Sequence, residues 1–516
     1  MQIKNGIIAM AGLALATGFG TPGFAQAPLS AIDWLSDSVI LPAPVAKPRA
    51  PREKDIVTSA LPESITVRPL DAPTPDTVGL VSARRLGLPG DIWGASSSAQ
   101  LARLLATHRP SDIPALRDLY KALLVAELDP PLDSNGDKTL FLARIDALLA
   151  MGALTDAAEL LDRAGRTEPM YFVRWFDISL LIGTENRACE RMRALPQISP
   201  TYGARIFCLA RGGDWQAAAV TLETAEILGL LDPQEDALLA RFLLAELSED
   251  AEPLPPQRAP SPLVFSMYAA VGEPLATPNL PLAFAHADLR PVTGWKARIA
   301  AAERLARAGA IDGHRLIEIY SERLPAASGG VWDRIDAVQE FAVGLNRSDP
   351  TAVSAALPAA WAAMVAAGLE VPFAEAVAEP LEHLPLSGGA QDIQLKVGLL
   401  SPDYRSAAAR TKGRMPQHAF WLALAQDETA RATPTDPLAG ALRDGFGTET
   451  LSDPMQTLID QNRRGEAILR AIDMFATGAS GNFDELQQAV ATLRAVGLND
   501  AAQRAALQLL ILDPAQ

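Results

Sequence analysis

Residues Gly212–Ala225 read GGDWQAAAVTLETA. A glycine pair, an acid and a tryptophan stand directly before an alanine-rich run with helical spacing of its larger side chains. Glycine closes a helix and turns the chain because it enters the left-handed region without a Cβ clash. The stretch therefore reads as the bend and second helix of a helical hairpin. A second copy stands at Gly152–Ala164, GALTDAAELLDRA. Aligned on glycine, Gly152 matches Gly213, Leu154 matches Trp215 and Ala157 matches Ala218. Leu161 then matches Leu222, and Ala164 matches Ala225. Small residues at such positions let two helices approach, and larger ones fill the groove between them. Trp215 is expected to wedge into the hairpin core. Weaker echoes occur at Gly481–Leu493, Gly497–Leu509 and Gly309–Tyr320, where His314 replaces the small residue.

This pattern resembles the tetratricopeptide repeat, in which a glycine turn leads into a second helix. It covers about a quarter of the chain, its hits are irregularly spaced, and the family's first-helix signature is not clean anywhere. The resemblance implies an all-α fold, an irregular α-solenoid of helix hairpins. The chain as a whole is also similar to exported helical proteins of alphaproteobacterial type.

Composition agrees with helix. Of 516 residues 49% are hydrophobic and 6% aromatic, and alanine and leucine dominate. Both lose little on entering a helix, whereas runs of strand-forming residues are nearly absent. The formal net charge of −16 repels phosphate backbones and anionic lipid, so a nucleic-acid partner is not expected.

The first residues, MQIKNGIIAMAGLALATGFGTPGFAQA, place Lys4 before an apolar stretch too short to span a bilayer. A helix break and small residues follow. Residues 1–25 are read as a secretory signal peptide, and the mature chain as periplasmic or secreted with no stable membrane span. The two cysteines, Cys189 and Cys208, fit that compartment. They flank the turn Pro196–Pro200 about equally, which sets them opposite each other in a helix hairpin. A disulfide is expected there.

Residues 26–41 contain SAIDWLSDSVI, a short amphipathic helix with Ile32, Trp34, Leu35 and Val39 as a candidate docking peptide. The proline-rich residues 42–95 are read as an extended, disordered linker. Residues 96–248 form a first helical-repeat array and 293–516 a second. Residues 249–292 are a proline-rich bridge with one short helix near Leu263–Ala270.

Chemical motifs are scarce. Asp133, Asn135 and Asp137 alternate as in a calcium loop, but Lys138 stands where glycine is needed and Arg144 where a bidentate acid is needed. The five histidines, His108, His286, His314, His383 and His418, have no partner at metal-ligand spacing. No catalytic residue, metal site or cofactor is expected. The function expected is a non-catalytic periplasmic interaction or scaffold module for envelope proteins, peptidoglycan-associated ones among the candidates. A cell-envelope hydrolase of lytic-transglycosylase-like architecture is the alternative, although Tyr320-Ser321-Glu322 reverses the Glu-Ser order such enzymes need. A self-assembling structural envelope protein is a third reading.

Overall fold

The computed structural model of the protein describes residues 74–512 except 109, 110, 135, 137, 166, 167, 245–251, 412 and 414. The expected signal peptide, the segment carrying Ile32, Trp34, Leu35 and Val39, and the first part of the linker lie outside the described residues. The described residues are mostly helical, with almost no strand. The first helices are α1 (Ser98–Thr107), α2 (Pro114–Val125), α3 (Thr139–Ala150), α4 (Leu154–Ala164), α5 (Pro169–Ile182), α6 (Glu185–Ala194), α7 (Tyr202–Arg211) and α8 (Trp215–Ile227). Next come α9 (Pro233–Leu243), α10 (Pro262–Ala270), α11 (Ala285–Asp288), α12 (Trp295–Arg307), α13 (Gly313–Ser321), α14 (Val331–Asn346), α15 (Pro350–Val365) and α16 (Glu370–Glu382). The last are α17 (Ala390–Leu400), α18 (Tyr404–Thr411), α19 (Ala419–Ala425), α20 (Pro437–Gly447), α21 (Asp453–Asp460), α22 (Arg464–Ala479), α23 (Phe483–Ala495) and α24 (Asn499–Ile511). Two-residue strands, β1 (Val81–Ser82) and β2 (Ala126–Glu127), pair in parallel.

The helix ends follow from local chemistry. Asp214, Asp232, Ser261, Asp312, Asp349 and Asp436 each accept a backbone N–H of the helix they precede. The glycines that begin the repeat-like stretches, Gly152, Gly213, Gly309, Gly481 and Gly497, all have positive φ. At four of them the following residue donates back five positions. These bonds run from Ala153 to Leu148 (2.8 Å), Asp214 to Leu209 (3.0 Å), Ala310 to Leu305 (2.9 Å) and Leu498 to Leu493 (2.8 Å). This is the Schellman closure, and it satisfies carbonyls a helix end would otherwise leave open. Ala157, Leu161, Ala218 and Leu222 are all buried.

The described part of the stretch read as linker is not extended. From Thr74 it forms two 3-10 turns and β1, and it buries Asp76, Leu88, Ile92 and Trp93. The reason is apolar content: Ile92 and Trp93 have a site to fill against α22. There Gly465 N–H donates to Ile92 O at 2.7 Å, and Gly465 leaves room for the indole that any side chain would take.

The core does not divide at residues 249–292 either. One apolar core draws on Ala83 to Ala287 and again on Leu395 to Leu510, while a second joins Trp295 to Leu400. The proline-rich bridge contributes α10, whose Leu263, Phe265, Met267 and Tyr268 are buried in the first core. The last helix of the chain therefore packs on the first ones instead of ending a separate array.

That closure is made by caps supplied from a distance. Neither Ile113 nor Lys138, the residues preceding α2 and α3, offers a capping side chain. Gln508 of α24 instead accepts Ala115 N–H at the start of α2 (2.6 Å). Asp76 accepts Phe141 N–H in the first turn of α3 (2.9 Å). Asp133, the first position of the calcium-like string, accepts both Ser98 N–H (2.9 Å) and Ser98 Oγ–H (2.8 Å) at the start of α1. Each bond satisfies a donor that the helix cannot satisfy itself.

Cys189 of α6 and Cys208 of α7 are disulfide-bonded across the hairpin, with Cα atoms 4.8 Å apart. Opening this bond should cost about 3 kcal/mol through the freed chain entropy of the unfolded state. Urea unfolding of a Cys189→Ser/Cys208→Ser variant checks it; a loss below about 0.5 kcal/mol would contradict the expectation. Among the described residues no helix is long and apolar enough to cross a membrane.

Candidate functional site

The opening stretch leads to the most unusual surface. Helix α8 spreads its apolar side chains around its circumference and buries only Ala218, Leu222 and Ala225. Its spacing puts these three on one narrow stripe facing α7. Val220 and Ile227, two turns apart, point the opposite way and are 57% and 84% exposed. Leu228 follows at 60% and Trp215 opens the helix at 52%. Singly exposed apolar residues are ordinary, but three within one short helix and a fourth directly after it are not.

Trp215 therefore does not wedge into the hairpin core as expected. The buried stripe consists of Ala218, Leu222 and Ala225, and Trp215, the first residue of α8, stays half exposed. The ring lies at the flank instead, its centroid 6.3 Å from that of Phe242 on α9. Phe242 in turn stacks on Phe207 of α7 at 5.4 Å.

The rim of this face is acidic. Glu223 and Glu226 are exposed on α8. Asp236 of α9 stands beside Glu226, and its charge and hydrogen bond push the Glu226 carboxyl above its ordinary value. Neighbouring surface carboxylates repel unless a proton or an incoming positive charge intervenes.

A smaller cleft, about 280 Å³, opens on the neighbouring side between α5, α7, α9 and α10. Glu235 projects into it over Gly203. Burial, aided by the charge of Asp232, pushes the Glu235 carboxyl up to about 7. Asp177 of α5 and Asp232 line the same cleft. Asp232 is committed as the cap of α9, accepting Gln234 N–H (2.8 Å) and Glu235 N–H (2.9 Å). Glu235 does affect stability. Between its unfolded value near 4.5 and its folded value near 7, the folded chain holds a proton that the unfolded chain has released. Stability from this group is thus complete below pH 4.5 and lost as pH rises through 7. Glu235→Gln should be stabilising by about 1–3 kcal/mol at pH 8 and close to neutral at low pH. Equal effects at both pH values would contradict this.

The histidines do not converge. His108 stacks on Tyr120 at 4.2 Å, with Nδ1 2.9 Å from the Asp473 carboxylate. His286 Nε2–H donates to Gly152 O at 2.7 Å, and burial pulls its pKa down. His418 pairs with Asp392 and stacks on Trp421. His314 and His383 are exposed. Among the described residues no cluster of His, Cys, Asp or Glu is placed to hold a metal ion.

Sequence reasoning flagged Trp215 for packing and missed α8 as a surface. The available signal was Val220 and Ile227 falling off the buried stripe. No protein-family model, no curated protein and no solved structure matches this chain.

Proposed function

We propose that this chain is an exported, non-catalytic docking protein, a degenerate tetratricopeptide-like array whose α8 face binds a basic amphipathic helix of an envelope partner. The observation that carries this reading is the outward exposure of Val220 and Ile227 on α8 beside the exposed acids Glu223 and Glu226. An amphipathic helix would cover the apolar side chains, and its lysines or arginines would neutralise the rim. The Cys189–Cys208 disulfide supports an oxidising compartment, the periplasm in this reading.

The chain's own segment Ser30–Ile40 does not suit this face, because Asp33 and Asp37 would meet like charge.

The test uses two labelled 14-residue peptides, one of leucine and lysine and one of leucine and glutamate in the same amphipathic order. The protein should bind the first and not the second. Ile227→Asp or Val220→Asp should weaken binding at least 10-fold, about 1.4 kcal/mol. Binding that survives both substitutions, or no preference for the basic peptide, would refute the proposal.

A further inference from the structure

A second cleft lies where distant parts of the chain meet. It measures about 510 Å³ and is walled by α2, the first turn of α4, the Gly309–Asp312 turn, α13 and α16. Its walls are fixed by backbone contact. Gly313 sits against the Pro372 carbonyl with no space for a side chain, which locks α13 onto α16. Arg504 of α24 reaches Asp118 at the edge (3.1 Å), so the chain's closure also completes the cleft.

The charges in this cleft are mostly accounted for. Lys121 pairs with Asp156 at 2.8 Å, and Arg315 pairs with Glu318 at 2.8 Å. Asp312 is spent as the cap of α13, accepting Arg315 N–H at 2.8 Å. Two groups remain. Arg117 gives one N–H to Ser111 O (3.2 Å), and its buried Nε has no partner. Glu375 accepts only Gly313 N–H, at 3.3 Å. Arg117 feels the charges of Asp118, Asp112 and, more weakly, Glu375, yet it forms no ion pair with Glu375. Burial lowers the pKa of Arg117 and raises that of Glu375, each against its charged form. Partly buried opposite charges normally close on each other, because desolvation without contact is costly.

We infer that this cleft binds a small zwitterion, a dipeptide with free termini, its carboxylate on Arg117 and its ammonium on Glu375. Arginine presents two parallel N–H donors that match a carboxylate, and the carboxylate of Glu375 suits an ammonium. The cleft is larger than a single amino acid needs and is of the size that encloses a small ligand. The lining also includes Ala306, Ala310, Ile311 and Val371, which favours neutral side chains. This inference does not depend on the α8 reading, since the residues and surfaces differ.

Calorimetric titration of the full chain with alanyl-alanine tests it. Three ligands are compared on the wild-type protein: free alanyl-alanine, its N-acetyl form, and its C-terminal amide. The free dipeptide should bind, and each blocked form should lose at least 10-fold in affinity. Arg117→Met should remove the difference between dipeptide and amide, and Glu375→Gln the difference between dipeptide and acetyl form. No binding of alanyl-alanine, or equal binding of the three ligands, overturns the inference. Because the ligand comparison is made on unaltered protein, a variant that fails to fold does not leave the question open.

Discussion

Arg144→Met should cost about 3–5 kcal/mol, the range for removing one member of a buried charged network. The guanidinium is completely buried and donates to three backbone carbonyls: Leu124 (2.8 Å), Asp76 (3.0 Å) and Ala126 (2.8 Å). It thereby ties the end of α2 and strand β2 to the segment at Asp76. Methionine fills similar volume but leaves three buried acceptors open and takes the nearest cation from the buried Asp76 carboxylate. Burial already pulls the Arg144 pKa down to about 10, so the site pays for its charge and recovers the cost only through these bonds. Lysine should not rescue, because one ammonium does not reproduce the planar fork. Urea unfolding gives the magnitude, and limited proteolysis should show cleavage within residues 74–95 first. A loss under about 1 kcal/mol would mean that the carbonyls find other partners.

Trp93→Ala should cost a similar 3–5 kcal/mol, the usual penalty for deleting a buried aromatic side chain. The indole is fully buried and lies on Gly465 at the start of α22. Its Nε1–H has no acceptor, so Trp93→Phe should be far milder, about 1 kcal/mol. The reverse change, Gly465→Val, should also be damaging, since the new side chain would displace the ring. If Trp93→Ala and Trp93→Phe were equally costly, packing against Gly465 would not be what holds the segment. If neither lowered stability, residues 74–95 would not be part of the core.

The helical class and many helix starts were legible because they depend on near neighbours. The glycine turns at Gly152 and Gly213 act within a few residues. The Cys189–Cys208 bond was legible for the same reason, as its hairpin is short and the turn between its helices is marked by proline. What escaped depends on distance. The cap that Gln508 places on α2 comes from 393 positions away. Nothing near Ala115 announces it. Asp76 and Trp93 stand in a proline-rich stretch that reads as tether, and only their partners on α3 and α22 reveal them as core. Arg144 appeared only as a wrong residue for a calcium loop, whereas its role is set by carbonyls from three segments. The α8 face was half legible: the glycine turn and the buried alanines were readable, but the flank position of Trp215 depends on Phe242 of α9. The Arg117–Glu375 cleft left no trace in sequence order, since its walls come from four separate regions.

Site-specific photocrosslinking in intact cells bears most directly on the central claim, that the outward face of α8 is a docking surface. A photoreactive residue is placed at Ile227 and, as a control, at Leu324, which is exposed on a different part of the chain. The predicted result is an adduct from position 227 alone, whose crosslinked peptide is a basic amphipathic helix of an envelope protein. Equal adducts from both positions, no adduct from 227, or an acidic peptide in the adduct would contradict it.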